Sequence, residues 1–312
     1  MRTLVLGAGA TGGYFGGRLL EAGRDVSFLV RARRAAQLRE TGLVIRSPQG
    51  DAVLKPHLVP PSKVGGPYDL VLITCKAYDL NSAMEAVAPG VGRNTIVLPV
   101  LNGLRHFDAL DQRFGAERVL GGLCSIVVTL NREGAVIHMQ PTHLLRFGER
   151  SLQRSPRVAA LQALFTGAKV DAKPAGDIFQ ALWEKWVMLA SLAGMTCLMR
   201  ASVGDIVAAP GGRELMLRCL DECAAVAAAH GHRPRPAVLE DTRKMLSQPD
   251  SPVTASMMRD LEGGQRVEAD HILGDLLERA GQAGVDTPLL RLAYSHLKAY
   301  EHRWARERRG AT

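Results

Sequence analysis

Thr3-Leu4-Val5-Leu6-Gly7-Ala8-Gly9-Ala10-Thr11-Gly12 opens the chain and decides how the rest is read. A short β-favouring run leads into a GxGxxG pattern, and Gly13-Tyr14-Phe15-Gly16-Gly17-Arg18-Leu19-Leu20 continues as a helical one. Strand, glycine turn and helix in that order begin a βαβ unit with a phosphate-binding turn. The first glycine permits the tight turn, the second lets backbone approach a pyrophosphate, and the third lets the helix pack on the strand, while the helix N-terminus faces the anion. Gly7, Ala8, Gly9, Ala10, Thr11 and Gly12 are accordingly the first candidate cofactor-binding residues.

Working outward, β-rich apolar runs at 25–30, 70–74 and 95–100 alternate with helical patterns near 10–22, 32–40 and 79–88. That alternation predicts an α/β fold with a Rossmann-type, doubly wound and mostly parallel sheet covered on both faces. Later runs at 118–129, 135–139 and 144–148, with the turn residues Asn131-Arg132-Glu133-Gly134 among them, read as an antiparallel extension of that sheet. After Lys173-Pro174-Ala175-Gly176 only helical patterns remain, at 177–192, 212–229, 237–246, 266–280 and 288–303, with a turn-rich loop at 247–252. The expected division is an N-terminal Rossmann-type domain, residues 1–173, and a C-terminal all-helical domain, residues 174–312.

Composition agrees with this and narrows the function. The 312 residues are 46% hydrophobic and 22% charged, an ordinary globular mixture long enough for two domains. The net charge of +8, from 39 basic and 31 acidic residues, owes much to the tail at 298–309, and is too local to point to nucleic acid. The uncharged run 186–199, bounded by Lys185 and Arg200, is too short to span a bilayer and reads as a buried helix, so no membrane association is expected. The first residues form a strand pattern rather than a signal peptide, so the mature protein is expected to begin at Met1. Cys75, Cys124, Cys197, Cys219 and Cys223 form no CxxC pair and no metal-ligand spacing with histidine, which predicts neither disulfides nor a metal site and fits a cytoplasmic location.

The residue after the second strand meets the adenosine ribose of a bound dinucleotide. An acidic residue there accepts from a 2′-hydroxyl. This chain has Arg31, followed by Arg33 and Arg34, and guanidinium groups suit a 2′-phosphate, so the expected cofactor is NADPH. Two further strands run into Lys76 and Asn102. Ligands of open α/β sheets sit outside the carboxyl ends of the strands, and Gly7, Arg31, Lys76 and Asn102 are expected to open onto one crevice.

The glycine-rich opening, Arg31, Thr74-Cys75-Lys76-Ala77, Asn102-Gly103, Leu182-Trp183-Glu184-Lys185 and Ser256-Met257-Met258-Arg259-Asp260 together resemble the ketopantoate reductase family over nearly the whole chain. The resemblance implies a two-domain NADPH-dependent 2-hydroxyacid dehydrogenase that reduces 2-dehydropantoate to pantoate, with the helical domain supplying substrate-binding and catalytic groups. It places the family's catalytic lysine on Lys185, its glutamate on Glu268 and its serine on Ser256. The residues support the first of these independently. Lys185 stands between Trp183 and Trp186 at the head of an uncharged helix, and a partly desolvated ammonium suits a proton donor to the alkoxide formed as hydride reaches the keto carbon. Glu268 precedes Ile272 and Leu276 by four and eight residues and is expected to point inward near a helix start. The resemblance implies that Glu268 contacts the substrate hydroxyl or holds the ammonium, and that Ser256 helps bind the substrate carboxylate; Asn102, in the crevice, is a candidate for both cofactor and substrate binding.

The pattern breaks at two places that matter for substrate. Family members that act on ketopantoate carry asparagines four and eight residues after the lysine, where this chain has Leu189 and Ala193. These apolar side chains cannot hydrogen-bond, which leaves open a more apolar 2-oxo acid or ketone as the substrate. Ala201-Ser202-Val203-Gly204 also lacks the asparagine common before that glycine. A third reading is a non-catalytic NADPH-binding sensor, against which the retention of Lys185 and Glu268 argues. A small-molecule 2-oxo acid is the expected partner, and a homodimer is compatible with the sequence but not required by it.

Overall fold

The computed structural model describes residues 1–153 and 155–309, and the last three residues of the expected helical domain lie outside them. Two compact units emerge, one formed by residues 1–101 and 106–179, the other by residues 102–105 and 180 onward.

The first unit begins β1 (Thr3–Leu6), α1 (Ala10–Glu21), β2 (Val26–Leu29), α2 (Ala32–Thr41). It continues through β3 (Leu43–Arg46), β4 (Ala52–Leu54), β5 (His57–Val59), β6 (Leu70–Ile73), α3 (Leu80–Val87), β7 (Ile96–Pro99) and α4 (His106–Phe114). It ends with β8 (Gly121–Leu130), β9 (Val136–Gly148), α5 (Pro156–Phe165) and β10 (Asp171–Pro174). β1, β2, β6 and β7 are buried at every position, as strands covered on both faces must be. They form a parallel sheet in the order β5-β2-β1-β6-β7. The register pairs Leu6 with both Leu29 and Ile73, and Ile73 with Pro99, so the four strands end level with one another. The strand order reverses direction beside β1, which is where such sheets open a ligand crevice.

The expected antiparallel extension is instead a second, mixed sheet. It runs β10-β9-β3-β4, with β8 also paired to β9. β9 is parallel to β3 and β10 and antiparallel to β8, so only the β8–β9 hairpin matches the expectation. The two runs at 135–139 and 144–148 are one strand, β9, which carries Pro141 through an irregularity in the β8 pairing between Ile126 and Val128.

α1 lies between the two sheets, and its glycines explain how. A Cβ on Gly16 would press on Val5 and Phe28 of the parallel sheet. One on Gly13 or Gly17 would press on Val136, or on Ile45 and Leu43, of the mixed sheet. Residues four apart share a helix face, so this spacing gives α1 two bare faces and lets both sheets approach its backbone.

The second unit is helical. α6 (Ile178–Met199) runs seven residues past its expected end and takes up the uncharged run. It is followed by α7 (Val203–Ala208), α8 (Gly212–Ala229), α9 (Pro236–Leu246), α10 (Ser256–Glu262), α11 (Asp275–Ala283) and α12 (Pro288–Arg309). α8, with Met216, Cys219, Leu220, Cys223 and Val226 fully buried, packs against α7, α9, α11 and α12. The helix expected over 266–280 is broken differently. Arg266 to Glu268 are non-helical, and Asp270–Gly274 forms a π-turn ahead of α11. No helix among the described residues is long and apolar enough to cross a membrane.

Candidate active site

Because the parallel strands end level, Gly7, Arg31 and Lys76 leave the same edge of the sheet, one, two and three residues past β1, β2 and β6. Gly7 has φ +86°, a conformation that only glycine adopts freely. Gly9 is the residue before α1, no side chain caps that helix, and a Cβ on Gly9 would enter open space. Unsatisfied first-turn N–H groups with room in front of them fit a pyrophosphate. A Cβ on Gly12, by contrast, would strike the Gly7 carbonyl oxygen and Thr74 Oγ1. Thr74 Oγ1 donates to the Leu6 carbonyl at 3.0 Å and ties the end of β6 to the turn. Ala8 is buried, and Ala10 and Thr11 are half-buried in the first turn of α1.

The three arginines have different fates. Arg34 turns inward: Nε donates to the Ala8 carbonyl at 2.9 Å and Nη1 to the Gly134 carbonyl at 2.9 Å, and burial pushes its guanidinium pKa down. It braces the glycine turn rather than reaching for a phosphate. Arg33 is exposed. Arg31, directly before α2, has a side chain 72% exposed that forms an ion pair with Asp79 at 3.2 Å. Lys76 is half-buried ahead of the single 3₁₀ turn Ala77–Asp79, with its carbonyl accepting from the Asp79 N–H at 2.9 Å.

In the helical unit, α6 presents Lys185 between two buried indoles, Trp183 and Trp186. Trp186 Nε1 donates to the Ile272 carbonyl at 2.9 Å, and the Arg279 guanidinium lies over both rings. Beside them Glu184 is nearly fully buried. Burial alone would raise its carboxyl pKa, but hydrogen bonds from the Arg235 side chain and backbone and from Gln180 outweigh it and hold the group ionised. The helix head is thus anchored on both sides of Lys185, whose ammonium donates to Asn102 Oδ1 at 3.0 Å.

Asn102 is held from the other side. Gly103 takes the left-handed conformation, φ +72°, so the turn does not depend on Asn102, whose amide is left for Lys185. A Cβ on Gly103 would meet the His271 backbone at 2.9 Å. His271, in the π-turn, is buried and hydrogen-bonds the Asn102 backbone; burial lowers its pKa despite the opposing charges of Glu268 and Asp275. π-turns recur at functional sites, and this one brings an imidazole to the residue that holds Lys185. Glu268 is buried, as expected, but it lies before the helix rather than on it, with its carbonyl accepting from Ile272 N at 3.0 Å.

Leu189 and Ala193 follow Lys185 along the same face of α6, half-buried and fully buried respectively. Ser256 is the first residue of α10, whose preceding residue is Ala255; among the described residues no hydrogen bond joins Ser256 to the Asn102–Lys185 pair. The sequence sets Arg34 beside Arg31 and Arg33 without a sign of its bracing role, and carries no signal for Asp79 or for His271 beside Asn102. Among the described residues no cluster of three or more His, Cys, Asp or Glu could hold a metal.

A parallel sheet whose first strand turns through glycines into a helix, followed along the chain by a helical unit with an ammonium on a side-chain amide, fits the class of dinucleotide-binding oxidoreductases. Residues 3–151 match the family described as Ketopantoate reductase PanE/ApbA, and residues 177–301 match its C-terminal counterpart. The chain belongs to the ketopantoate reductase family. A Bacillus subtilis relative, the uncharacterized oxidoreductase YkpB, is 38% identical over 96% of this chain and 99% of its own. The crystal structure of a PanE/ApbA family ketopantoate reductase from Ralstonia eutropha superposes with a TM-score of 0.88 at 26% identity, over 98% of this chain and all of that one. D-mandelate dehydrogenase, solved with NADH and anilino(oxo)acetate, shares the fold at a TM-score of 0.87 and 21% identity, over 98% of this chain and all of that one.

Proposed function

We propose that the chain is an NADPH-dependent reductase of a 2-oxo acid, and that 2-dehydropantoate, reduced to pantoate, is its leading substrate. The observation that carries this reading is the Lys185–Asn102 hydrogen bond of 3.0 Å at the head of α6, beside the π-turn that follows the buried Glu268. A nicotinamide dinucleotide would supply the hydride that reduces the keto carbon. Gly7, Gly9 and the first turn of α1 would hold its pyrophosphate, and Arg31 its 2′-phosphate. Lys185 polarises the keto oxygen and delivers a proton to it as negative charge develops. Asn102 fixes the ammonium's direction, since an acceptor on one N–H leaves the others to donate to substrate. Glu268 provides an acceptor for the product hydroxyl. A reducing cytoplasm is the place of action that the cysteine spacing of the sequence favours.

Arg31→Ala tests the cofactor assignment. NADPH binding, followed by fluorescence titration, is expected to weaken by roughly tenfold or more for loss of a charge-assisted contact, with NADH nearly unaffected. Equal losses for both would remove Arg31 from the phosphate site.

Leu189 and Ala193 favour a second substrate within the same chemistry. Two apolar side chains on the face that carries Lys185 accommodate a methyl or ring better than a hydroxyl. The deciding experiment follows NADPH oxidation with ketopantoate beside a panel of more apolar 2-oxo acids. A preference for ketopantoate supports the leading assignment, and a preference for an apolar acid makes Leu189 and Ala193 specificity determinants. Silence across the panel despite tight NADPH binding would overturn the enzyme reading in favour of a sensor.

A further inference from the structure

Asp79 ends the 3₁₀ turn that runs directly into α3, and its own backbone is already helical. Its side chain makes no hydrogen bond to the first turn of α3 and lies against Arg31, Oδ1 3.2 Å from Nη2. The two residues leave strands that are not neighbours. β1 lies between β2 and β6, so with strands spaced near 4.8 Å the two loops start roughly 10 Å apart and the ion pair closes over the end of β1. That end is the glycine turn, and the ribose beside it is where a dinucleotide's 2′ substituent is read. An exposed ion pair is weak and opens readily, so it does not bar entry. It does leave a carboxylate beside the one exposed guanidinium assigned to the phosphate.

We propose that Asp79 is a cofactor-selectivity residue acting against Arg31: its carboxylate accepts from the 2′-hydroxyl of NADH and competes with the 2′-phosphate of NADPH for the guanidinium, so that the site admits both dinucleotides. The proposal rests on the reading of Arg31 as the phosphate ligand. An acid normally does this work from the end of the second strand. Here that place is taken by arginine, and the acid arrives from the β6–α3 connection, so one crevice offers a partner for either substituent.

The experiment is a titration of wild-type protein, Asp79→Asn and Arg31→Ala with NADPH, NADH, 2′,5′-ADP and 5′-AMP. Asp79→Asn removes one charge from an exposed site and leaves the backbone bonds of the turn in place. It is expected to tighten NADPH and 2′,5′-ADP by roughly two- to fivefold, the scale of one exposed charge pair, and to weaken NADH. The NADPH-to-NADH affinity ratio then moves towards NADPH by about threefold or more. A smaller movement of that ratio, or a movement towards NADH, overturns the proposal. The two readings fail separately: a selective NADPH loss in Arg31→Ala with no shift in Asp79→Asn rejects only the role of Asp79, whereas equal losses in Arg31→Ala reject the phosphate site on which it depends.

Discussion

Lys185→Ala is expected to lower kcat/KM by roughly 10²–10⁴-fold, the usual contribution of a positioned general acid, while leaving the dissociation constant for NADPH almost unchanged. The separation follows from where the groups lie in the chain. The glycine turn, Arg34 and Arg31 belong to the first unit, and Lys185 with its acceptor Asn102 to the second. Turnover is measured with the best substrate of the panel, and binding by nucleotide fluorescence. Lys185→Arg sharpens the test. A guanidinium keeps the charge and the hydrogen bond to Asn102 but does not give up a proton near neutral pH, so activity should stay low. If Lys185→Arg retained most of the wild-type rate, the side chain would be serving as an electrostatic clamp on the keto oxygen rather than as an acid. Turnover in Lys185→Ala within about tenfold of wild type would exclude it from the proton transfer altogether.

The parallel sheet was legible because its strands are short apolar runs buried on both faces, each followed by turn chemistry. β3, β4 and β5 were not, since they are partly exposed, and β3 and β5 pair with strands far along the chain. β9 read as two strands because Pro141 and its polar neighbours break the apolar alternation; tertiary pairing at both ends overrides that local signal. At the site, residue type and motif order singled out Lys185, Asn102 and Glu268 as candidates, but not how they are held. The π-turn adds a residue to the helical repeat, and no periodicity fitted to 3.6 anticipates it. The arginines make the same point from another side. Three of them after one strand are interchangeable in a sequence, and only the close approach of Ala8 and Gly134 makes Arg34 a brace and leaves Arg31 outward.

Two glycines of one motif are expected to fail in opposite ways when given a methyl group. In Gly12→Ala the new carbon has no free direction, because it would strike the Gly7 carbonyl and Thr74 Oγ1, with Val5 Cγ1 at 3.3 Å on the third side. Two of these three belong to the strand end and turn that hold the motif in place. α1 must move off β1, and overpacking of this kind costs about 1–3 kcal/mol. Thermal unfolding of the first unit should therefore shift down by roughly 3–10 °C, and dinucleotide binding should be lost with it. In Gly9→Ala the methyl group meets nothing within 4 Å, and the backbone at φ −74° is one that alanine adopts freely. Its melting temperature should match wild type. Its dinucleotide affinity should not, because the space that the methyl enters is the approach of the pyrophosphate to the N-terminus of α1. A Gly9→Ala protein that is stable and binds NADPH as wild type does would show that the phosphates do not pass over this turn, and the cofactor assignment would fall whatever Arg31 does. A stable protein with binding weakened tenfold or more would separate the glycine kept for the fold from the glycine kept for the ligand.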